Sequence, residues 1–174
     1  ELVQGAGGTG KSVLLAAMAL VMQRENLGFM ATSAWTGVAA APFQAPTLCT
    51  LFRLERTKLD SEKQMSEQQI GLMLADFRNY YGDPEILTVF AVGEASFLGS
   101  PVLHHLDVQL RRLLGRPDDP FGGVLLLLLG DFWQKAPPAG ISLAETLAAT
   151  DAPLEPEKYI KVASPDSLAA RGLH

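Results

Sequence analysis

The chain has 174 residues, 48% of them hydrophobic, which fits one domain with a sizeable core and excludes a disordered or low-complexity protein. Fourteen basic residues against nineteen acidic ones give a net charge of −5, which argues against a broadly basic nucleic-acid surface but leaves local contacts through hydroxyls and backbone amides open. The lone Cys49 excludes an internal disulfide and fits a reducing compartment, and the longest apolar run, Val13 to Met22, is too short to cross a bilayer, so an intracellular protein with no membrane partner is expected.

Along the chain, apolar runs repeatedly stop at a glycine-bearing polar motif. ELVQ, residues 1–4, leads into GAGGTGKS, and a helical pattern follows from Ser12 to Arg24, with Gly28 as a stop signal. FMATS, residues 29–33, leads into AWTGVAA. Ser66 to Tyr80 predicts an amphipathic helix, because Ile70, Met73, Leu74 and Phe77 keep the i, i+3, i+4, i+7 spacing. ILTVFAV, residues 86–92, leads into GEAS. Ser100 as N-cap and Pro101 as first helical residue open a helix that runs to about Leu114 and closes at Gly115. VLLLLL, residues 124–129, leads into GDFWQ.

Short Val- or Leu-rich runs bounded by glycine are the signature of strands buried on both faces of a parallel sheet. Strands alternating with helices predict a doubly wound α/β layer. Ligands of such sheets bind beyond the carboxyl ends of the strands, so the four motifs should meet at one edge. Residues 1–150 read as one domain. Residues 151–174, with scattered prolines and no clear pattern, read as a short tail without a role. The chain opens at Glu1, only four residues before the first glycine of the loop, and is expected to be cut from a longer protein or to come from a truncated gene model.

The segment Gly5-Ala6-Gly7-Gly8-Thr9-Gly10-Lys11-Ser12 matches G-x-x-x-x-G-K-[ST] in full. Glycines let successive amide N–H groups turn inward around a phosphate, and the helix that follows adds partial positive charge. Lys11 would reach the β- and γ-phosphates, and the Ser12 hydroxyl would sit on Mg²⁺. No N-K-x-D motif for guanine is present, since neither Asn26 nor Asn79 is followed by lysine, so ATP is the expected nucleotide. The loop alone also fits a small-molecule kinase.

The later motifs narrow this. Ser33-Ala34-Trp35-Thr36-Gly37-Val38-Ala39-Ala40 resembles the T-A-P-T-G-V-A-A element of the PIF-type DNA helicases of superfamily one. Thr47-Leu48-Cys49-Thr50-Leu51-Phe52 resembles their T-I-H-S-x-F, and Gly93-Glu94-Ala95-Ser96-Phe97 resembles D-E-x-S-M. Leu106-Asp107 and Leu110-Arg111 echo the helix that follows there. Gly130-Asp131-Phe132-Trp133-Gln134, then Pro137-Pro138, resembles G-D-F-x-Q-L-P-P.

The resemblance covers roughly Leu2 to Pro138. It implies the N-terminal RecA-like domain of a P-loop NTPase, with a mostly parallel sheet flanked by helices on both faces. It further implies ATP and Mg²⁺ as cofactors, single-stranded DNA and a second RecA-like domain as partners, and 5′-to-3′ unwinding in repair, recombination and telomere maintenance. In a eukaryote the compartment would be the nucleus or the mitochondrion. By the same resemblance, Lys11 and Ser12 bind phosphates and metal, Glu94 is the general base, and Gln134 senses the γ-phosphate. Thr36, Gly37, Thr47 and Thr50 touch DNA.

Blander readings stand beside these. Thr36 and Thr47 would serve equally as helix caps. Gln134 could be a solvated loop amide, and Glu94 a surface acid. Trp35 and Trp133 could stack on bases, although packing within the domain is the commoner fate of a loop tryptophan. His104 and His105 fit a helix face, and Arg111 and Arg112 fit solvated or paired positions.

The pattern also departs from the family. Gly93 stands where the family has the metal-holding aspartate, and Asp131, at a neighbouring strand end, is a candidate substitute. Cys49 replaces histidine, Phe97 replaces methionine, and Lys135-Ala136 replaces Leu-Pro. With Gly93 in place of the aspartate and no stretch after Pro138 long enough for a second motor domain, a degenerate nucleotide-binding module with little or no turnover is the competing expectation.

Overall fold

The computed structural model describes residues 1–54 and 65–131. Trp133, Gln134, Lys135-Ala136, Pro137-Pro138 and the 151–174 tail lie outside the described residues.

Among the described residues, the apolar runs form one parallel sheet: β1 (Leu2–Gln4), β2 (Phe29–Ala34), β3 (Leu87–Gly93) and β4 (Leu125–Gly130), in the order β1-β4-β3-β2. Gln4 pairs with Gly130 and Ala34 with Gly93, so the carboxyl ends finish along a common rim. The helices are α1 (Lys11–Arg24), α2 (Gly37–Ala40), α3 (Leu48–Phe52), α4 (Glu67–Tyr81) and α5 (Ser100–Leu113).

Both faces of the sheet are covered, as the uninterrupted apolar strands require. The pleat sends alternate residues to opposite faces. Phe90 and Val92 of β3 and Leu126 of β4 join Leu51, Phe52, Met73, Phe77, Leu106 and Leu110 in one core, against α3, α4 and α5. Val89, Ala91, Leu127 and Leu129 join Leu15 and Met22 of α1 on the other face. The stripe expected on α4 performs as its spacing requires: Met73 and Phe77 are fully buried, and Phe77 packs its ring 6.4 Å from Phe29 and 5.1 Å from Tyr81. The Tyr81 hydroxyl donates to the carbonyl of Thr32, and burial pushes the phenol above its ordinary pKa.

The helix ends follow local chemistry. Ser66 caps α4, and Gln69 reaches back to the Ser66 amide to complete a capping box. The expected Ser100 cap is displaced by one residue: Gly99 takes the N-cap position in an extended conformation and Ser100 opens α5. Pro101 then lies within the first turn, where its missing N–H forfeits no helical bond. Arg111 is paired, donating to both carboxylate oxygens of Asp107 at 2.9 Å. Asp107 also accepts the Phe121 amide at 2.5 Å, bracing the turn that leads into β4.

Candidate nucleotide and DNA site at the carboxyl rim

The first loop leaves β1 and enters α1 through Gly8 and Gly10, whose φ angles of 78° and 88° favour glycine. Gly10 occupies the N-cap position of α1 without a side-chain cap, leaving the first amides of the helix directed toward the loop. The Lys11 ammonium curls back over the loop and donates to the carbonyls of Gly5 and Ala6, the latter at 2.8 Å. Thr9 Oγ1 also donates to the Ala6 carbonyl at 2.8 Å. Gly7 and Gly8 are exposed, as is Ser12 at the start of α1. A glycine loop, one ammonium and one hydroxyl at a helix N-terminus have the donor chemistry to cradle a phosphate chain, and the Ser12 oxygen is a hard donor suited to Mg²⁺. Among the described residues, no group of three or more His, Cys, Asp or Glu side chains is placed to hold a metal.

A chain of contacts links this loop to the other motifs. The Gly5 amide donates to the Gly130 carbonyl at 3.1 Å, tying the loop to the end of β4. Gly130 in turn lies against the turn after Glu94: a Cβ there would sit 3.0 Å from the Ser96 amide nitrogen. Gly93 pairs with Ala34, and Ala34 forms a further bridge with Thr47. Ser33 Oγ donates to the Pro46 carbonyl at 2.8 Å and fixes the approach of that segment. The rim therefore gathers the ends of β1, β4, β3 and β2, then Thr47, in spatial order.

Glu94 is held in the left-handed region, at φ 55° and ψ 41°, just past the end of β3. Such a conformation costs a side-chain-bearing residue about 1–2 kcal/mol. The following turn, Ala95–Phe97, supports it, with the Phe97 amide donating to the Glu94 carbonyl at 3.0 Å.

Thr36 and Thr47 do cap helices. Thr36 Oγ1 accepts the Ala39 amide at 3.3 Å, and Thr47 Oγ1 accepts the Thr50 amide at 3.2 Å. The Thr47 and Thr50 hydroxyls also meet at 3.0 Å. Gly37 opens α2 and is exposed, as is Thr50. Trp35 is only 6% exposed and packs within the domain, so it offers no stacking face. The sequence reading missed one contact: Thr36 Oγ1 donates to Glu94 Oε2 at 2.5 Å. No local pattern announces a bond between residues this far apart. The strand pairing of Ala34 with Gly93 brings their successors together.

A parallel sheet covered by helices on both faces, with a glycine-rich loop between its first strand and helix, defines a RecA-like P-loop NTPase domain. The PIF1-like helicase family profile matches residues 2–150, and the chain belongs to that family. It is 31% identical to the ATP-dependent DNA helicase PIF1 of Saccharomyces cerevisiae over 137 residues, which is 76% of this chain and 15% of the yeast protein. It is 32% identical to the yeast ATP-dependent DNA helicase RRM3 over 140 residues, or 78% of this chain and 18% of that protein. The chain thus spans less than a fifth of the length of these relatives. Among solved structures, Bacteroides Pif1 with ADP-AlF4 superposes with a TM-score of 0.59 at 24% identity, covering 87% of this chain and 33% of the other. Bacteroides Pif1 bound to single-stranded DNA gives 0.56 at 25% identity, with 86% and 32% covered.

Proposed function

We propose that the chain is the N-terminal motor half of an ATP-dependent 5′-to-3′ DNA helicase acting in repair, recombination and telomere maintenance, and that it resides inside the cell, in a eukaryote in the nucleus or mitochondrion. The observation that carries the reading is the shared rim. The phosphate loop, Glu94 and the Thr36 and Thr47 segments all lie on carboxyl ends of one sheet and are linked by direct contacts.

In this reading, the loop formed by Gly5, Gly7, Gly8, Thr9 and Gly10 cradles the triphosphate together with Lys11 and Ser12. Mg²⁺, when bound, would neutralise charge developing on the phosphates. Lys11 exchanges its carbonyl partners for phosphate oxygens, which are stronger acceptors. Glu94 orients the attacking water and takes its proton. Gln134 senses the γ-phosphate through its amide. Thr36, Gly37, Thr47 and Thr50 contact the backbone of single-stranded DNA, and a second RecA-like domain closes the site.

Gly93 favours a second reading, a module that holds nucleotide but turns it over little. No carboxylate stands where the family places its metal-holding aspartate. Asp131 follows β4, in which Leu127 and Leu129 face the α1 side, and the same alternation would carry its carboxylate toward that side.

ATP hydrolysis measured with and without single-stranded DNA separates the two. Stimulation by DNA supports the motor reading. For the isolated chain, slow or undetectable turnover is expected, and restoration in Gly93→Asp would tie the deficit to the metal. Binding of neither ATP nor DNA would remove both readings.

A further inference from the structure

Thr36 makes two hydrogen bonds with one hydroxyl. It donates to Glu94 Oε2 at 2.5 Å and accepts the Ala39 amide at 3.3 Å. A threonine hydroxyl carries a single hydrogen. A DNA phosphate is ionised at neutral pH and can only accept. Donation from Thr36 to Glu94 and donation from Thr36 to a DNA phosphate therefore exclude one another.

Thr36 follows Trp35, which is buried, and caps α2 from an extended backbone. Glu94 is fixed by its left-handed backbone and the turn after it. The paired strand ends Ala34 and Gly93 set the separation of the two side chains.

We propose that Thr36 is a positioning residue that restrains Glu94 in the absence of DNA and releases it when a DNA phosphate claims the Thr36 hydrogen. The inference rests on the reading of Thr36 as a DNA contact and Glu94 as the base. It adds a route by which DNA switches hydrolysis on: the carboxylate that must face water is held by the hydroxyl that must face DNA. By linkage, the coupling acts in both directions, so Glu94 also weakens DNA binding.

That reverse direction supplies a test that needs no catalysis. Binding of a fluorescent oligothymidine to the full chain is followed by anisotropy, without nucleotide. Glu94→Ala frees the Thr36 hydrogen and should tighten binding about tenfold, the scale of one charge-assisted hydrogen bond. Glu94→Gln removes the same charge but keeps an acceptor for Thr36, and should fall between wild type and Glu94→Ala. In a Thr36→Val background, Glu94→Ala should change little, whereas in Thr36→Ser its effect should return. Equal tightening by Gln and Ala, or an undiminished effect in Thr36→Val, would assign the change to charge alone and overturn the switch. The Gln-to-Ala comparison stands even where loss of the α2 cap unfolds Thr36→Val. No oligothymidine binding by any variant would instead overturn the DNA reading itself, and the switch with it.

Discussion

Gly93→Asp restores the carboxylate that the family carries, and the structure sets out what it should do. A Cβ on Gly93 would lie 3.4 Å from Ala34 Cβ and 3.7 Å from the Ser33 carbonyl, which is ordinary contact. The backbone there is not left-handed, so no strain is added. Replacing a strand glycine at a compatible position gains about 0.4–1 kcal/mol through the unfolded chain. Repulsion from the neighbouring Glu94 offsets part of that gain. Stability should therefore change by less than about 1 kcal/mol, or roughly 2–4 °C in Tm. The functional effect should be larger. Residue 93 continues the alternation of Val89 and Ala91, which face α1, so the new carboxylate would project toward the side that carries Ser12. An added outer-shell metal partner is worth about 10–100-fold. The assay is a Mg²⁺ titration of binding by a fluorescent ATP analogue, paired with thermal unfolding of both proteins. The midpoint should move to lower Mg²⁺ by at least about tenfold. An unchanged midpoint in a folded variant would refute the placement of residue 93, and a Tm loss beyond about 5 °C would refute the claim of free space.

Other perturbations probe the scaffold. Gly28 has φ 83°, and a Cβ there would meet Thr88 Cγ2 at 2.5 Å and the Ile86 carbonyl at 2.8 Å, so Gly28→Ala should lose about 1–3 kcal/mol in denaturant unfolding; an unchanged midpoint would contradict this. Phe77→Ala removes a fully buried ring between Phe29 and Tyr81 and should lose about 3–5 kcal/mol, which calorimetry would register as a fall of roughly 10 °C; a loss below about 1 kcal/mol would show that the core is not packed there. Burial, then the charges of Arg112 and His104, hold His105 below its ordinary pKa of 6.5. Because the folded value is depressed, the stability it contributes is present above pH 6.5 and is lost as pH falls through the lower folded value. His105→Gln should flatten that decline in urea unfolding between about pH 7 and pH 5, and identical slopes would contradict the assignment.

Much of the fold was readable because β3 and β4 are buried on both faces, whereas the edge strand β1 is largely exposed. LTVFAV and LLLLL cannot lie at a surface, and the glycine motifs at their ends fix the direction in which they finish. The amphipathic stripe of α4 was equally plain. What the letters hid was the consequence of pairing. Ala34 and Gly93 stand far apart in sequence, and only the parallel register brings Thr36 onto Glu94. The left-handed backbone of Glu94 was also invisible, since glutamate is a poor marker for positive φ. Thr36 caps α2 as the sequence allowed, and the same hydroxyl that accepts the Ala39 amide also donates to Glu94. The start of α5 slipped by a residue because proline is tolerated throughout the first helical turn, so Ser100-Pro101 marks a helix start only to within a position.

The central claim is that the motifs converge at one rim around a nucleotide. Mn²⁺ in place of Mg²⁺, added with ATP to the isotopically labelled chain, broadens NMR signals steeply with distance from the ion. Broadening should concentrate on the amides of Gly5 to Ser12, Glu94 to Ser96 and Asp131, and should spare Gly28, Gly82 and Leu114. Broadening that left the Glu94 turn untouched, or that fell equally on Gly28, would contradict the shared site.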